Sequence, residues 1–329
     1  MSEEMIIQVE EVRKAFGGVQ AVNGVSFEIT KGHVVGFIGA NGAGKTTTMR
    51  MMATLELPDS GKITVNGWDV ANRPHEVRKS IGWMPDNYGA YTHVSVLDYL
   101  DFYARACGFR GADRKRRVEE VMEFADLGPL AERPMNGLSK GMAQRLCFGR
   151  ALLQDPPVLI LDEPAAGLDP KARLEFKNLV QILARKGTTI FISSHILSEL
   201  GEMCDTLLFI DAGKVVHHGT AQMLQERTGV GACVVEILVH GPEAPLLQWI
   251  SMQPSWKLVS QLRGGARAEY ELPDREQLAG QLRRMIQDGI QVTDFHRQER
   301  RLEEIFVDVV RESNGSRVPP PPLPTLARS

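Results

Sequence analysis

Gly39-Ala40-Asn41-Gly42-Ala43-Gly44-Lys45-Thr46-Thr47 decides how the rest of the chain is read. It satisfies G-x-x-x-x-G-K-[ST], the pattern of a loop that wraps nucleotide phosphates. Its glycines let the backbone curl tightly and turn successive N–H groups inward, which forms an anion-binding concavity. In this pattern Lys45 reaches the β- and γ-phosphates and Thr46 places its hydroxyl on Mg²⁺. Gly39, Asn41, Gly42, Ala43, Gly44 and Thr47 complete the expected phosphate contacts. Upstream, Val34-Val35-Gly36-Phe37-Ile38 reads as a buried strand. Downstream, Lys45 to Met52 has no breaker and continues as a helix, so the phosphates sit at a helix N-terminus, where the macrodipole favours negative charge. The bare pattern arises by chance in roughly one chain in a hundred of this length, and far more rarely between a strand and a helix. The chain is expected to bind a nucleoside triphosphate.

The 329 residues allow two domains, or one large domain with an appendage. An apolar content of 43% and a charged content of 24% are ordinary for a globular protein. A net charge of −3 argues against a strongly electrostatic nucleic-acid binder. Met1-Ser2-Glu3-Glu4 opens the chain without the apolar core of a signal peptide. No stretch approaches the ~18 apolar residues of a membrane span. Cys107, Cys147, Cys204 and Cys233 are scattered with no C-x-x-C pair, which reads as reduced thiols in the cytosol.

Outward from the loop, Ile6–Glu10 and Val22–Ile29 read as strands joined by the Gly17-Gly18 turn, and Gly61–Gly67 as a strand closed by a turn. From about Val94 to Leu130 the pattern is helical, with Leu97, Leu100, Tyr103 and Ala104 on one face. Arg114-Lys115-Arg116-Arg117 inside it reads as a solvated face laced with i,i+4 pairs to Glu119 and Glu120. Val158–Leu161 and Thr188–Ile192 are continuous apolar runs of the kind buried on both faces of a parallel sheet, with a helix over Lys171–Arg185 between them. His217 and His218 before Gly219 read as strand-end residues with no partner, and Met49, Met51 and Met52 as packing on the loop's helix. The alternation predicts an α/β core with an inserted helical lobe.

Beyond about Glu226 the texture changes. Cys233–Val239 reads as a strand and Ala244–Met252 as a helix. Lys257–Leu262 and Ala268–Leu272 form a hairpin pattern around Gly264-Gly265. Arg275–Ile286 is helical, Gln291–Phe295 a strand, and Arg301–Val310 a last helix with Leu302, Ile305, Phe306 and Val309 on one face. The order β-α-β-β-α-β is that of a small split-βαβ, ferredoxin-like α+β domain. Val318 to Pro324 is a polyproline tail of the kind that stays disordered.

Leu161-Asp162-Glu163-Pro164 closes an apolar strand with two adjacent acids. A buried strand end is a costly place for them unless a cation or substrate compensates the charge. Asp162 is the natural partner for Mg²⁺ beside Thr46, and Glu163 is placed to orient or deprotonate an attacking water.

With both motifs in place, residues 5 to about 225 resemble the nucleotide-binding subunits of ABC transporters. Leu138-Ser139-Lys140-Gly141-Met142-Ala143-Gln144-Arg145-Leu146 is similar to that family's L-S-G-G-Q signature, Gly167-Leu168-Asp169 to its D-loop, and Ser194-His195 to its switch histidine. Phe16 occupies the place of the aromatic that stacks on adenine. The resemblance implies ATP and Mg²⁺ as ligands. It makes Lys45, Glu163 and His195 catalytic, and Thr46, Asp162 and Asp86 the metal set. Phe16, Ser139, Gly141, Asp169 and Asp86 join the phosphate loop in holding nucleotide, with Ser139 and Gly141 meeting the γ-phosphate of an opposite subunit. Lys140 and Met142 stand where Gly and Gln are usual. In Ile81-Gly82-Trp83-Met84-Pro85-Asp86 the Q-loop ends in Asp instead of Gln, which removes the usual amide donor to water.

The resemblance also implies partners: a second ATP-binding subunit, a copy of this chain or a homologue, and a separate integral membrane permease, with no nucleic acid. Residues 5–225 are expected to form the ATP-binding domain, with a helical lobe at about 87–155 and the permease docking near Asp86 to Val96. Residues 228–312 form the accessory domain and residues 313–329 the tail. The signature wording and the added domain look like type-2 exporters of drugs, lipids or polysaccharides, placing the chain on the cytoplasmic face of the cell membrane. Rival readings are an ABC ATPase acting on ribosomes or DNA, which the single cassette and slight acidity disfavour, and a ligand-sensing role for the accessory domain.

Overall fold

Val34–Ile38 (β3) is buried at every position, which marks a strand covered on both faces. It lies inside a six-stranded sheet with Ile81–Met84 (β6), Val158–Leu161 (β7), Thr189–Ser194 (β8), Thr206–Asp211 (β9) and Lys214–Gly219 (β10), in the order β10-β9-β3-β8-β7-β6. All pairings are parallel except β9 with the edge strand β10. This is a computed structural model that describes residues 4–86, 89, 91–201, 203–220, 223, 233–271 and 275–297. Contacts divide the chain into residues 1–220 and residues 221–329. The predicted Arg301–Val310 helix and the proline tail lie outside the described residues.

A second sheet covers one side of the first unit. Met5–Phe16 (β1) and Val19–Thr30 (β2) are antiparallel around the Gly17-Gly18 turn, and Ser60–Val65 (β4) and Trp68–Asp69 (β5) extend them in the order β2-β1-β4-β5. Phe27 of β2 reaches toward the main sheet, its ring centroid 5.7 Å from Phe191 of β8 and 6.3 Å from Phe37 of β3. Each buried ring contributes roughly 1.5–3 kcal/mol by apolar transfer. Lys45–Met52 (α1) follows β3 directly, and Met49, Met51 and Met52 are all fully buried in the same core.

The helical lobe follows Pro74–Ser80 (α2) and β6. It holds Val96–Ala106 (α3), Gly111–Phe124 (α4) and Lys140–Leu152 (α5), while Pro170–Arg185 (α6) leads on to β8 and Leu197–Gly201 (α7) follows that strand. Ser95 caps α3 by accepting from Asp98 N at 3.1 Å, which sets the helix phase so that Val96, Tyr99, Leu100 and Ala104 face inward. Leu97 falls at the margin of that stripe and is exposed, contrary to the face expected from spacing. The basic run also differs from a solvated face. Arg117 donates to the last carbonyls of α5, Leu152 O at 2.5 Å and Leu153 O at 2.9 Å, and Arg114 pairs with Asp101 at 2.7 Å. Within the run Arg116 keeps the expected surface pairing, to Asp113 and Glu120. His217, read as partnerless, packs its ring on Phe209 at 5.4 Å.

In the second unit, Cys233–Val239 (β11), Trp256–Leu262 (β12), Gly265–Tyr270 (β13) and Val292–Arg297 (β14) form an antiparallel sheet in the order β12-β13-β11-β14. Ala244–Met252 (α8) and Arg275–Gln287 (α9) complete a β-α-β-β-α-β path. Its strand order, 2-3-1-4, is the split-βαβ arrangement. The third strand starts at Gly265, three residues earlier than its sequence pattern, because alanines at 266 and 268 fill inward positions with little side chain. The core joins Trp249, Trp256 and Tyr270, with Trp249 Nε1 donating to Asp288 at 2.7 Å. No helix of the described residues is long and apolar enough to cross a membrane.

Candidate functional site

The loop between β3 and α1 takes its shape from two glycines in the left-handed region, Gly42 at φ +82° and Gly44 at φ +105°. A Cβ on Gly44 would stand 2.5 Å from Ala21 O, so no other residue fits there. Gly44 caps α1, no side chain satisfies the helix start, and the first turn carries no acid. Its N–H groups and dipole are the donor set for an anion. Lys45 is only 6% exposed, and its Nζ donates to Gly39 O at 2.7 Å and Ala40 O at 3.3 Å.

The two acids arrive from the end of β7. Asp162 is 1% exposed, and its N–H donates to Met84 O at 2.8 Å, extending the β6–β7 pairing. Ser193 Oγ at the end of β8 donates to Asp162 Oδ1 at 2.7 Å and accepts from Glu163 N at 2.8 Å. Thr46 also hydrogen-bonds the Asp162 carboxyl. Burial pushes the Asp162 pKa up despite these two hydroxyls, and the Glu163 and Asp86 charges push the same way. A cation there would relieve that penalty.

Glu163 sits at φ +48°, an uncommon conformation for a residue with a side chain and one that costs of the order of 1–3 kcal/mol. The turn aims its carboxylate back across the site. Oε1 lies 3.6 Å from Lys45 Nζ, and Oε2 lies 2.8 Å from Nδ1 of the half-exposed His195. Lys45, Thr46, Asp162, Glu163 and His195 therefore share one contact network, with Ser193 as its hub. Sequence reading did not single out Ser193, the first of two serines after the apolar run of β8.

Of the other expected residues, Phe16, Ser139, Gly141 and Asp169 stand apart from that network. Phe16 ends β1 at 46% exposure, with Lys14 Nζ 5.3 Å from its ring centre. Asp59 fixes this end, holding Ala15 N at 2.7 Å and Lys14 Nζ at 3.0 Å. Asp86 follows β6 and is exposed. Ser139 caps α5, its Oγ accepting from Met142 N at 3.4 Å, and Asp169 caps α6, accepting from Ala172 N at 2.9 Å. Ser139, Gly141 and Asp169 line a cavity of about 550 Å³ to which no residue of the phosphate loop contributes. Lys140 lies over Gly167 beside it.

Among the described residues no three His, Cys, Asp or Glu side chains group as a metal cage. The site offers one hydroxyl and one buried carboxylate with Asp86 nearby, a sparse hard-oxygen set suited to Mg²⁺ that also keeps phosphate and water oxygens. The residues present fit that ion.

Residues 22–166 match the model of the family described as ABC transporter. The Nod factor export ATP-binding protein I of Ralstonia nicotianae is 35% identical over 243 residues, covering 74% of this chain and 75% of that protein. The ABC transporter ATP-binding protein NatA of Bacillus subtilis is 38% identical over 209 residues, covering 63% of this chain and 85% of that protein. Among solved structures, one described as the ATP-binding subunit of an ABC transporter superposes with a TM-score of 0.63 at 29% identity, over 68% of this chain and 93% of that one.

Proposed function

The chain belongs to the ABC transporter ATP-binding proteins, ATPases that drive membrane permeases, and from that premise we propose that it powers export through a separate permease of the type-2 group. The observation that carries the catalytic part is the placement of Glu163 between Lys45 and His195, at 3.6 Å and 2.8 Å. Glu163 is the general base that takes a proton from the attacking water at its carboxylate, and His195 holds that carboxylate in place. Lys45 and the α1 N-terminus bind the β- and γ-phosphates with Gly39, Asn41, Gly42, Ala43, Gly44 and Thr47, and Phe16 stacks on the base. Thr46, Asp162 and Asp86 hold Mg²⁺, which supplies charge neutralisation on the transferred phosphoryl group.

The signature cavity shares no lining residue with the phosphate loop. Its Ser139, Gly141 and Asp169 therefore complete the site of a second subunit, and ATP joins the two. Residues 5–225 act as the ATPase, working at the cytoplasmic face through the permease, and residues 228–312 as an accessory domain. Gel filtration of Glu163→Gln with Mg-ATP tests this. A dimer that forms with ATP and not with ADP is the expected result, and a monomer at every protein concentration overturns it.

A further inference from the structure

Arg150, near the C-terminal end of α5, takes no part in that chemistry, yet it joins its helix to two other elements. Its Nη2 donates to Trp83 O on β6 at 2.9 Å, and Nη1 donates to Tyr99 Oη on α3 at 3.2 Å. The guanidinium carbon stands 5.3 Å from the centre of the Tyr103 ring. Strand β6 is at the edge of its sheet, and successive carbonyls of a strand point to opposite sides. Met84 O faces β7, where it accepts from Asp162 N, so Trp83 O faces the open edge and Arg150 closes it. Two residues beyond Met84 the strand delivers Asp86.

The contact between α5 and β6 has no slack. A Cβ on Gly82 would lie 2.3 Å from Ala151 O, so the end of the helix rests directly on the strand backbone. The middle of α5 is gripped as well. Phe148 meets Phe176 of α6 edge-on at 5.1 Å, and a Cβ on Gly149 would meet Val121 at 3.1 Å. The first residue past the other end of this 13-residue helix is Ser139, about 17 Å from Arg150 at 1.5 Å per residue. A close-packed rod of this kind passes on a displacement instead of absorbing it.

We propose that Arg150 is a positioning residue that couples the two half-sites of one subunit. It ties the strand end that carries Asp86, in the subunit's own nucleotide site, to the helix that presents Ser139 and Gly141 to the partner's phosphates. The planar guanidinium holds a carbonyl, a hydroxyl and a ring face at once, an arrangement that a lysine ammonium does not reproduce. The inference rests on the ATP-driven dimer proposed above.

The test is the ATP dependence of hydrolysis by the full-length chain, for the wild type, Arg150→Lys, Tyr99→Phe and the double variant, with Mg-ADP affinity measured in parallel by calorimetry. The wild type is expected to be cooperative, with a Hill coefficient approaching about 2, the number of sites in the dimer. Each single variant lowers it toward about 1 while Mg-ADP affinity stays within about twofold, and the double variant goes no lower, because both changes cut one linkage. Single variants with wild-type cooperativity, or a wild type that hydrolyses ATP without cooperativity, overturn the coupling and leave the ATPase reading standing. A wild type with neither hydrolysis nor an ATP-dependent dimer overturns the ATPase reading, and the coupling with it. Should Arg150→Lys not fold, Tyr99→Phe carries the test alone, since it removes only the acceptor hydroxyl.

Discussion

Lys45 and Glu163 face each other across the site, Nζ 3.6 Å from Oε1, with both side chains largely buried. Each compensates a charge that would be costly to bury alone. An arriving phosphate competes with Glu163 and with the Gly39 and Ala40 carbonyls for the same ammonium. Binding should therefore draw Lys45 toward the nucleotide and release one oxygen of Glu163.

Thermal unfolding with and without Mg-ATP reads the first consequence. A ligand present at a hundred times its Kd adds about 2.7 kcal/mol to the folded state, and the wild type should show the matching rise in Tm. Lys45→Ala is expected to lose that rise and to unfold earlier without ligand, since Glu163 is left with an uncompensated buried charge. A ligand-induced rise equal to the wild type's in Lys45→Ala would refute the assignment.

Removing the proposed base should separate chemistry from binding. Glu163→Gln is expected to lower kcat by about 10²–10⁴ while leaving Mg-ADP affinity near that of the wild type. His195→Ala acts through the same carboxylate, so the double variant should be no slower than Glu163→Gln alone. Steady-state rates for the three variants decide this, and multiplicative losses would separate the two residues.

How much of this site was legible in the sequence depends on how local each signal is. The path β3–loop–α1 was readable because glycine spacing, an apolar run and a breaker-free helix are all local. The acids at 162 and 163 were readable as chemistry, yet the turn that aims Glu163 at Lys45 needs a positive φ that the residue type does not announce. Ser193 became meaningful only because β8 pairs with β7, a neighbour relation set by sheet order and invisible in either strand. Arg117 was read as a surface charge because its partners, the Leu152 and Leu153 carbonyls, lie 35 and 36 residues away.

The end of β1 carries Phe16 and is held by Asp59, and each residue has its own readout. If Phe16 stacks on the base, Phe16→Ala should weaken Mg-ATP binding by about 1–3 kcal/mol, and Phe16→Trp should retain it. The Ala15 N–H, and then Lys14, hold the Asp59 carboxyl below its usual range. Its folded pKa is thus lower than its unfolded one, so its stabilising contribution is complete above the unfolded value. That contribution is lost as pH falls through the lowered one. Asp59→Asn should accordingly be less stable than the wild type at neutral pH, and the gap should close in acid, as read by urea unfolding across that range.

Two glycines of ordinary backbone geometry should respond in opposite directions to the same added methyl. At Gly82 the new Cβ meets Ala151 O at 2.3 Å, a backbone atom that moves only if the end of α5 moves. Gly82→Ala is expected to destabilise the first unit by at least about 2 kcal/mol, the scale of overpacking in a filled core. It should also disturb the Trp83–Arg150 contact beside it. At Gly280, within α9, nothing lies within 4 Å of an added Cβ. Gly280→Ala should stabilise the second unit by about 0.5–1 kcal/mol, because alanine loses less backbone freedom on entering a helix. Hydrogen exchange separates the two effects: faster exchange confined to α5 and β6 in the first variant, slower exchange confined to α9 and its sheet in the second. Unchanged protection of β6 in Gly82→Ala would mean that α5 yields easily, and the rigid contact on which the Arg150 linkage depends would be gone.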